Sequence, residues 1–463
     1  MDKIRKNLEA FIANDREYPI LAGLSIGIYM LLFYYSKNFT HANSWPQLLF
    51  ALIYYVGVPC AALYGTYLIA KNSRFSRYTR QALFIVALSF LSWYVLQHAH
   101  LPYSYKKLFA ISVVVIVLVS FKFRNYKIVI FILTLMSVFP AYDFSKIVYK
   151  NLTNPDWTLQ PDNILAAKFT QKPNVYYIQT DGYANANTLK TAPYNYDNSA
   201  FDSWLENSGF TQYADFKSNY SSTLKSNSSL FNMKHHYGNE SVLFKTASDF
   251  VVGENKVVEV FRNNGYKSFF IAEKPYMLMN RPDVSFDYTN FEKTKLPFLR
   301  DGWEVTSNIT ADLKQQIQQN KNTTNFFFIE KFTPGHIAVT KSSSKGVEQE
   351  RKEYLERVGE TNKWLKEMVG FITENDPGAI IIIGADHGGF VGYEYTLEVF
   401  EQPLEELRNS VFGSALSIKW NSPKHQQYDQ NLKTSVNLFR ILFAFLSEEP
   451  EYLKHLQANE HHY

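Results

Sequence analysis

The stretch NVYYIQTDGYANANTLK, residues 174–190, sets the reading of the fold. Its apolar run, Val175 to Ile178, ends almost at once in Asp181 and Gly182, and a polar segment follows. A short, near-continuous apolar run closed by a turn is the mark of a strand covered on both faces. The pattern recurs much later in AIIIIGADHGG, 379–389, where the apolar run ends in Asp386, His387 and Gly388.

Between and after these two runs, helical and strand-like patterns alternate. A helix is expected around 198–208, with Phe201 and Leu205 on one face and Gly209 as its stop. VVEVFRNNGYKSFFIAE reads as helix, Gly265, then a strand over 267–272, and NFFFIEKF reads as another strand. A long helix over about 347–374 places Tyr354, Val358, Leu365, Val369 and Ile372 on one face. SALSIKW, 414–420, is a further strand and Val436 to Leu446 a further helix. Apolar strands alternating with helices imply a mostly parallel central sheet with helices on both sides. In such sheets, ligands bind beyond the carboxyl ends of the strands. Asp181, Asp386 and His387 are therefore expected at one edge, and two carboxylates with an imidazole suit one divalent metal ion, Zn or Mn. A single Asp-Gly is an ordinary turn signal; two strands ending in acidic turns favour a shared site.

The chain has 463 residues and a net charge of +4, too small a basic excess for a dedicated nucleic-acid binder. Its first part is dominated by five apolar segments, at roughly 20–36, 47–70, 82–98, 108–121 and 128–143. Residues 1–145 are thus expected to form an all-α, five-helix transmembrane domain. Residues 146–172 then make a partly helical connector at the membrane surface, and 173–463 form the outer α/β domain. Lys and Arg crowd the N-terminal arm (Lys3, Arg5, Lys6, Arg16) and the loops after the second and fourth segments (Lys71, Arg74, Arg77, Arg80; Lys122, Arg124, Lys127). The other loops carry only Lys37, and Lys106 with Lys107. The positive-inside rule then puts the N-terminus inside and everything after Asp143 outside. The one cysteine, Cys60, lies in the second segment, so the outer domain has neither disulfides nor thiolate ligands.

NVYYIQTDGY, a Ser/Thr-rich segment some forty residues on, and IIIIGADHGG together resemble the alkaline phosphatase superfamily. The closer likeness is to its membrane-anchored, sulfatase-like branch of lipoteichoic acid synthases and phosphoethanolamine transferases. The resemblance implies an alkaline-phosphatase-like outer domain and an acidic metal ligand at Asp181. It implies a second ligand pair at Asp386 and His387, and a Thr or Ser at a helix start that is both nucleophile and metal ligand. In SNYSSTLKSNSSLFNM, 218–233, Thr223 fits best, with Ser221, Ser222 and Ser226 as competitors. A plain helix cap is the bland alternative there. The resemblance also implies a histidine near a proline after an apolar strand. FFFIEKFTPGHIAV offers His336, though as Pro-Gly-His rather than Pro-His, for binding phosphate or protonating a leaving group. Lys274 and Arg281 are further substrate-binding candidates, and His235 with His236 reads as an ordinary surface pair, with contact to a second metal as the alternative.

The expected function is that of a metal-dependent phosphotransferase of a bacterial inner membrane. It would take a phospho-head-group from a phospholipid donor to an envelope glycan or lipid acceptor. The lack of disulfides favours a phosphoglycerol-type or unassigned transferase over a lipid A phosphoethanolamine transferase. The lack of an outer cysteine excludes the Cys-derived formylglycine route of sulfatases. A phosphatase or phosphodiesterase with the same site, and a non-catalytic membrane subunit, are the rivals.

Overall fold

The computed structural model describes residues 2–38, 44–99, 104–153, 156–236, 247–299 and 302–463. The chain divides into two compact units, Met1–Asn154 and Pro155–Tyr463. Part of the expected connector is a helix of the first unit, Val138–Thr153; residues 154 and 155 of that connector lie outside the described residues.

Among the described residues of the first unit, four helices are long and apolar enough to cross a membrane: Pro19–Asn38, Trp45–Lys71, Ser76–His98 and Lys127–Tyr149. The remaining apolar segment forms the helix Tyr105–Ser120, of 16 residues. At 1.5 Å per residue it is about 24 Å long, short of a hydrocarbon core of roughly 30 Å. By length alone, four of the five expected spans meet the requirement among the described residues, and the fifth segment is a shorter helix. This short helix runs antiparallel along the third span, with Gln81 Nε2 on Ser120 Oγ at 2.9 Å and Ser92 Oγ on Ser112 Oγ at 2.7 Å. The first two spans approach closely at Gly23 and Gly27. A Cβ there would lie 2.6 Å from Cys60 Cα and 2.5 Å from the Tyr55 carbonyl, a small-xxx-small contact. The N-terminal arm and two basic loops meet at one end of the bundle. Arg80 bonds Glu17 and the Asn14 carbonyl, and Lys127 Nζ bonds Asn14 at 2.7 and 2.8 Å.

Among its described residues the second unit has seven strands: β1 (Val175–Thr180), β2 (Thr211–Gln212), β3 (Lys267–Ala272), β4 (Tyr288–Thr289), β5 (Asn325–Lys331), β6 (Ile380–Gly384) and β7 (Leu416–Lys419). Their order is β2-β7-β6-β1-β5-β3-β4. The pairings β6–β1, β1–β5, β5–β3 and β3–β4 are parallel. β7 lies antiparallel to both β6 and β2, so the sheet is mixed.

Alternate residues feed two cores. Tyr177, Phe328 and Ile382 pack on one face with Phe231 and Phe439. Tyr176, Phe327 and Ile381 pack on the other with Tyr354, Leu365 and Met368 of the long helix Val347–Asn375. β1, in the middle, is buried along its whole length, which is why its sequence reads as continuous rather than alternating.

Candidate active site

Asp181 directly follows β1. Its N–H donates to the Lys331 carbonyl at 2.9 Å, and its own carbonyl accepts from Gly335 N–H at 2.8 Å. Gly182 has φ +65°, and a Cβ there would meet the Gly335 carbonyl at 2.3 Å. The glycine is thus required both by the left-handed turn and by the close approach of the β5 loop. Asp386 follows β6, beside β1. One of its oxygens accepts from Gly182 N–H at 3.0 Å and from His387 N–H at 3.1 Å, which fixes the carboxylate.

His387 Nδ1–H donates to the Gly388 carbonyl at 2.8 Å. The other ring nitrogen, Nε2, then lies 3.4 Å from Asp181 Oδ1 and 3.3 Å from Asp386 Oδ2. Thr223 Oγ1 lies 3.4 Å from the same nitrogen. Asp181, Asp386 and His387 are all buried. The Asp181 and Asp386 oxygens that face Nε2 have no hydrogen-bond partner. Burial first, and the Asp386 carboxylate beside it second, push Asp181 up to about 8. Two buried carboxylate oxygens with nothing to accept from, an imidazole nitrogen and a hydroxyl, gathered at one point, fit a divalent cation. The ligand atoms of Asp181, Asp386 and His387 lie within 4.8 Å of one another, close enough to share one ion.

Thr223 opens the helix Thr223–Asn232, and Ser222 is its N-cap residue without a side-chain cap bond. The first N–H groups of that helix are not capped by Ser222, and a helix N-terminus favours an anion such as phosphate. Of the competitors, Ser226 Oγ donates to the Tyr220 carbonyl, and Ser221 is buried. Among the four, Thr223 has the hydroxyl set against the Asp–His group.

His336 is brought to the site: its ring centroid is 5.9 Å from that of His387. Its Nδ1–H donates to the Ile337 carbonyl at 2.7 Å, and burial lowers its pKa from the usual histidine range. Arg357, absent from the sequence reading, donates to the Pro334 and His336 carbonyls at 2.6 and 3.0 Å and so holds this loop. Tyr354 OH is another such support, donating to the Gly182 carbonyl at 2.9 Å. Both project from the long helix, whose helical periodicity reveals its apolar face but not which residues touch a loop distant in sequence.

The structure gives the remaining candidates other partners. Lys274 Nζ donates to the Trp303 carbonyl and Thr306; Arg281 donates to the Leu296 carbonyl and lies over the Phe298 ring at 4.1 Å. Neither cation hydrogen-bonds the Asp–His group. His235 and His236 are not a surface pair. His235 is buried and donates to the Ala458 carbonyl, while His236 stacks on Tyr220 at 4.4 Å and donates to the Lys225 carbonyl. Their rings fill the space behind the Thr223 segment, because the chain after Gln457 folds back beside it: Ser221 N–H donates to the His462 carbonyl.

Solved structures similar to this chain include the integral membrane lipooligosaccharide phosphoethanolamine transferase A of Neisseria meningitidis. It is 12% identical over 92% of this chain and 95% of that one, with a TM-score of 0.44. The C-terminal periplasmic domain of phosphoethanolamine transferase EptC from Campylobacter jejuni is 14% identical over 61% of this chain and 93% of that one, with a TM-score of 0.41. The C-terminal periplasmic domain of EcEptC from Escherichia coli, in a complex with Zn, is 11% identical over 60% and 83%, with a TM-score of 0.39. No family model and no curated protein matches the sequence.

Proposed function

We propose that the chain is a membrane-bound, metal-dependent phosphotransferase. It moves a phospho-head-group, of phosphoglycerol or phosphoethanolamine type, from a lipid donor to an envelope glycan or lipid through a covalent intermediate on Thr223. The observation that carries this reading is the position of the Thr223 hydroxyl. It stands at a helix N-terminus, 3.4 Å from His387 Nε2, where two unpartnered carboxylate oxygens also converge.

Asp181, Asp386, His387 and Thr223 are the residues that would hold one Zn or Mn ion. When bound, the ion supplies a lowered hydroxyl pKa and a positive charge against the phosphoryl oxygens. Thr223 Oγ1 gives up its proton to solvent and bonds the donor phosphorus as the bond to the lipid-side oxygen breaks, and that oxygen leaves as a hydroxyl with a proton from solvent; the acceptor oxygen then bonds the phosphorus as the Thr223 Oγ1–P bond breaks. The uncapped N–H groups of the Thr223 helix face the phosphoryl oxygens. His336 Nδ1 already carries a proton toward Ile337, so its Nε2 acts as an acceptor. That favours taking the proton of the incoming acceptor hydroxyl over protonating the leaving group.

The apolar helices of the first unit hold the catalytic domain, 173–463, at the surface of the bacterial inner membrane, near lipid donors. The short Tyr105–Ser120 helix returns the chain to the end where Lys127 meets Asn14, and so acts as a fifth crossing that leaves the catalytic domain outside. The test is turnover of a fluorescent phospholipid with and without an added glycan. Chelation should abolish turnover and Zn or Mn restore it. Product found only as free head group, whatever the acceptor, would make the protein a hydrolase instead.

A further inference from the structure

The loop that carries His336 is braced by the chain that follows β6. Ile337 N–H donates to the Gly389 carbonyl at 3.2 Å. Thr396 N–H and Leu397 N–H donate to the Ala338 and Val339 carbonyls at 2.8 and 3.1 Å. Phe390 stands edge-on to both imidazoles, its centroid 6.1 Å from that of His336 and 5.5 Å from that of His387. The stretch 386–397 thus carries His387 near its start and holds the His336 loop near its end.

Thr396 also reaches the ring itself. Its Oγ1 lies 3.2 Å from His336 Nδ1, 3.2 Å from the Ile337 carbonyl and 3.2 Å from the Ala338 carbonyl. The acceptors present decide where the protons are. The Ile337 carbonyl, 2.7 Å from Nδ1, can only accept, so Nδ1 carries the ring proton; a bare Nδ1 would set two lone pairs against each other. Thr396 Oγ1 then accepts a second branch of that N–H and cannot donate to it. Its own proton goes to the Ile337 or the Ala338 carbonyl. The hydroxyl is used in both directions, accepting from the ring and donating to the loop.

The bond to Ile337 alone ties the ring only to the next residue, which moves with the same loop. Thr396 belongs to the stretch that carries His387, so its oxygen ties the aim of the imidazole to the Asp–His group. With Nδ1 committed twice, Nε2 is the nitrogen left to meet a substrate. A side chain locked in this way from outside its own loop is what keeps a proton acceptor in productive geometry.

We propose that Thr396 is a positioning residue for His336, fixing its tautomer and its aim so that Nε2 meets the incoming acceptor hydroxyl. This rests on the reading of His336 as the proton acceptor given above. In the second half of the reaction Nε2 takes the acceptor's proton as the acceptor oxygen bonds the phosphorus and the Thr223 Oγ1–P bond breaks. Nε2 then releases that proton to solvent, and Thr223 Oγ1 regains one from solvent. Thr396 acts through the ring, so its effect falls on this half and not on the loading of Thr223.

The test follows a radiophosphorus-labelled head group on and off Thr223 in the full chain in detergent. Labelled phosphatidylglycerol and phosphatidylethanolamine are the donors, and water is the acceptor. Thr396→Val keeps the branched shape and removes the oxygen. It should load Thr223 at the wild-type rate and release the head group about tenfold more slowly. Thr396→Ser returns the oxygen and should release it near the wild-type rate, and His336→Ala should be at least as slow as Thr396→Val. Equal thermal melts would show that the variants fold; should Thr396→Val fail to fold, Thr396→Ala against Thr396→Ser carries the same comparison. Wild-type release in Thr396→Val with slow release in His336→Ala overturns the positioning role and leaves His336 in place. Release as slow in Thr396→Ser as in Thr396→Val also overturns it, since the loss then follows packing and not the hydroxyl. Wild-type release in His336→Ala overturns the reading of His336 and this inference with it.

Discussion

Thr223 is set apart from the serines around it by position rather than by chemistry. Its hydroxyl opens the helix and reaches His387, while Ser226 is bonded to a carbonyl behind it. Thr223→Ala should lower turnover of a phospholipid donor by at least about a thousandfold, while the melting temperature changes little. Thr223→Ser should retain a measurable fraction, because the oxygen stays. A Thr223→Ala protein as active as wild type would remove the nucleophile from this residue. His336 gives the pH dependence. Burial holds its pKa below 6.5, so the neutral, proton-accepting ring persists as pH falls below that value and is lost only on further acidification. Turnover should therefore show an acid limb below pH 6.5, and His336→Ala should lower the plateau and remove that limb. An unchanged limb in His336→Ala would assign it to another group. Asp181, Asp386 and His387 were legible in the sequence because each ends or follows a conspicuous apolar run.

Three elements carry the site: the turns after β1 and β6 and the helix over the sheet. At Gly182 an added Cβ would meet the Gly335 carbonyl at 2.3 Å in a left-handed backbone, so Gly182→Ala should cost about 1–3 kcal/mol and displace Asp181. Denaturant unfolding measures the loss. Activity should fall further than the stability loss explains. Phe231 anchors the Thr223 helix to the sheet, and Phe231→Ala should cost about 3–5 kcal/mol in the same measurement. Strand and helix identities were legible from apolar periodicity. The reversal of β7 was not, because SALSIKW carries the same apolar signal whichever way it runs. The burial of His235 and His236 was also hidden, since it depends on residues 457–463 folding back over them.

For the whole molecule, the sidedness of the outer domain turns on the 16-residue helix. Four crossings would leave both units' ends on the N-terminal side of the membrane, and five would put 173–463 opposite. The alternation of basic loops favours five, and Arg80 and Lys127 meeting the N-terminal arm agrees with it. Single cysteines introduced at exposed positions of 173–463, in a Cys60→Ser background, should react with an impermeant maleimide in intact cells; labelling only after lysis would reverse the topology. The shortness of this helix was visible in the sequence, since 108–121 is the shortest of the five apolar segments. Its pairing along the third span was not, because serine-to-serine contacts leave no hydrophobic signature. The central claim joins both units in one activity: a lipid head group passes through Thr223. The most direct measurement is mass spectrometry of the protein quenched during turnover with a phospholipid donor and no acceptor. The expected result is one phospho-head-group on the peptide containing Thr223, absent after chelation and in Asp181→Ala. Turnover with Thr223 unmodified, or a modification that survives Thr223→Ala, would contradict it.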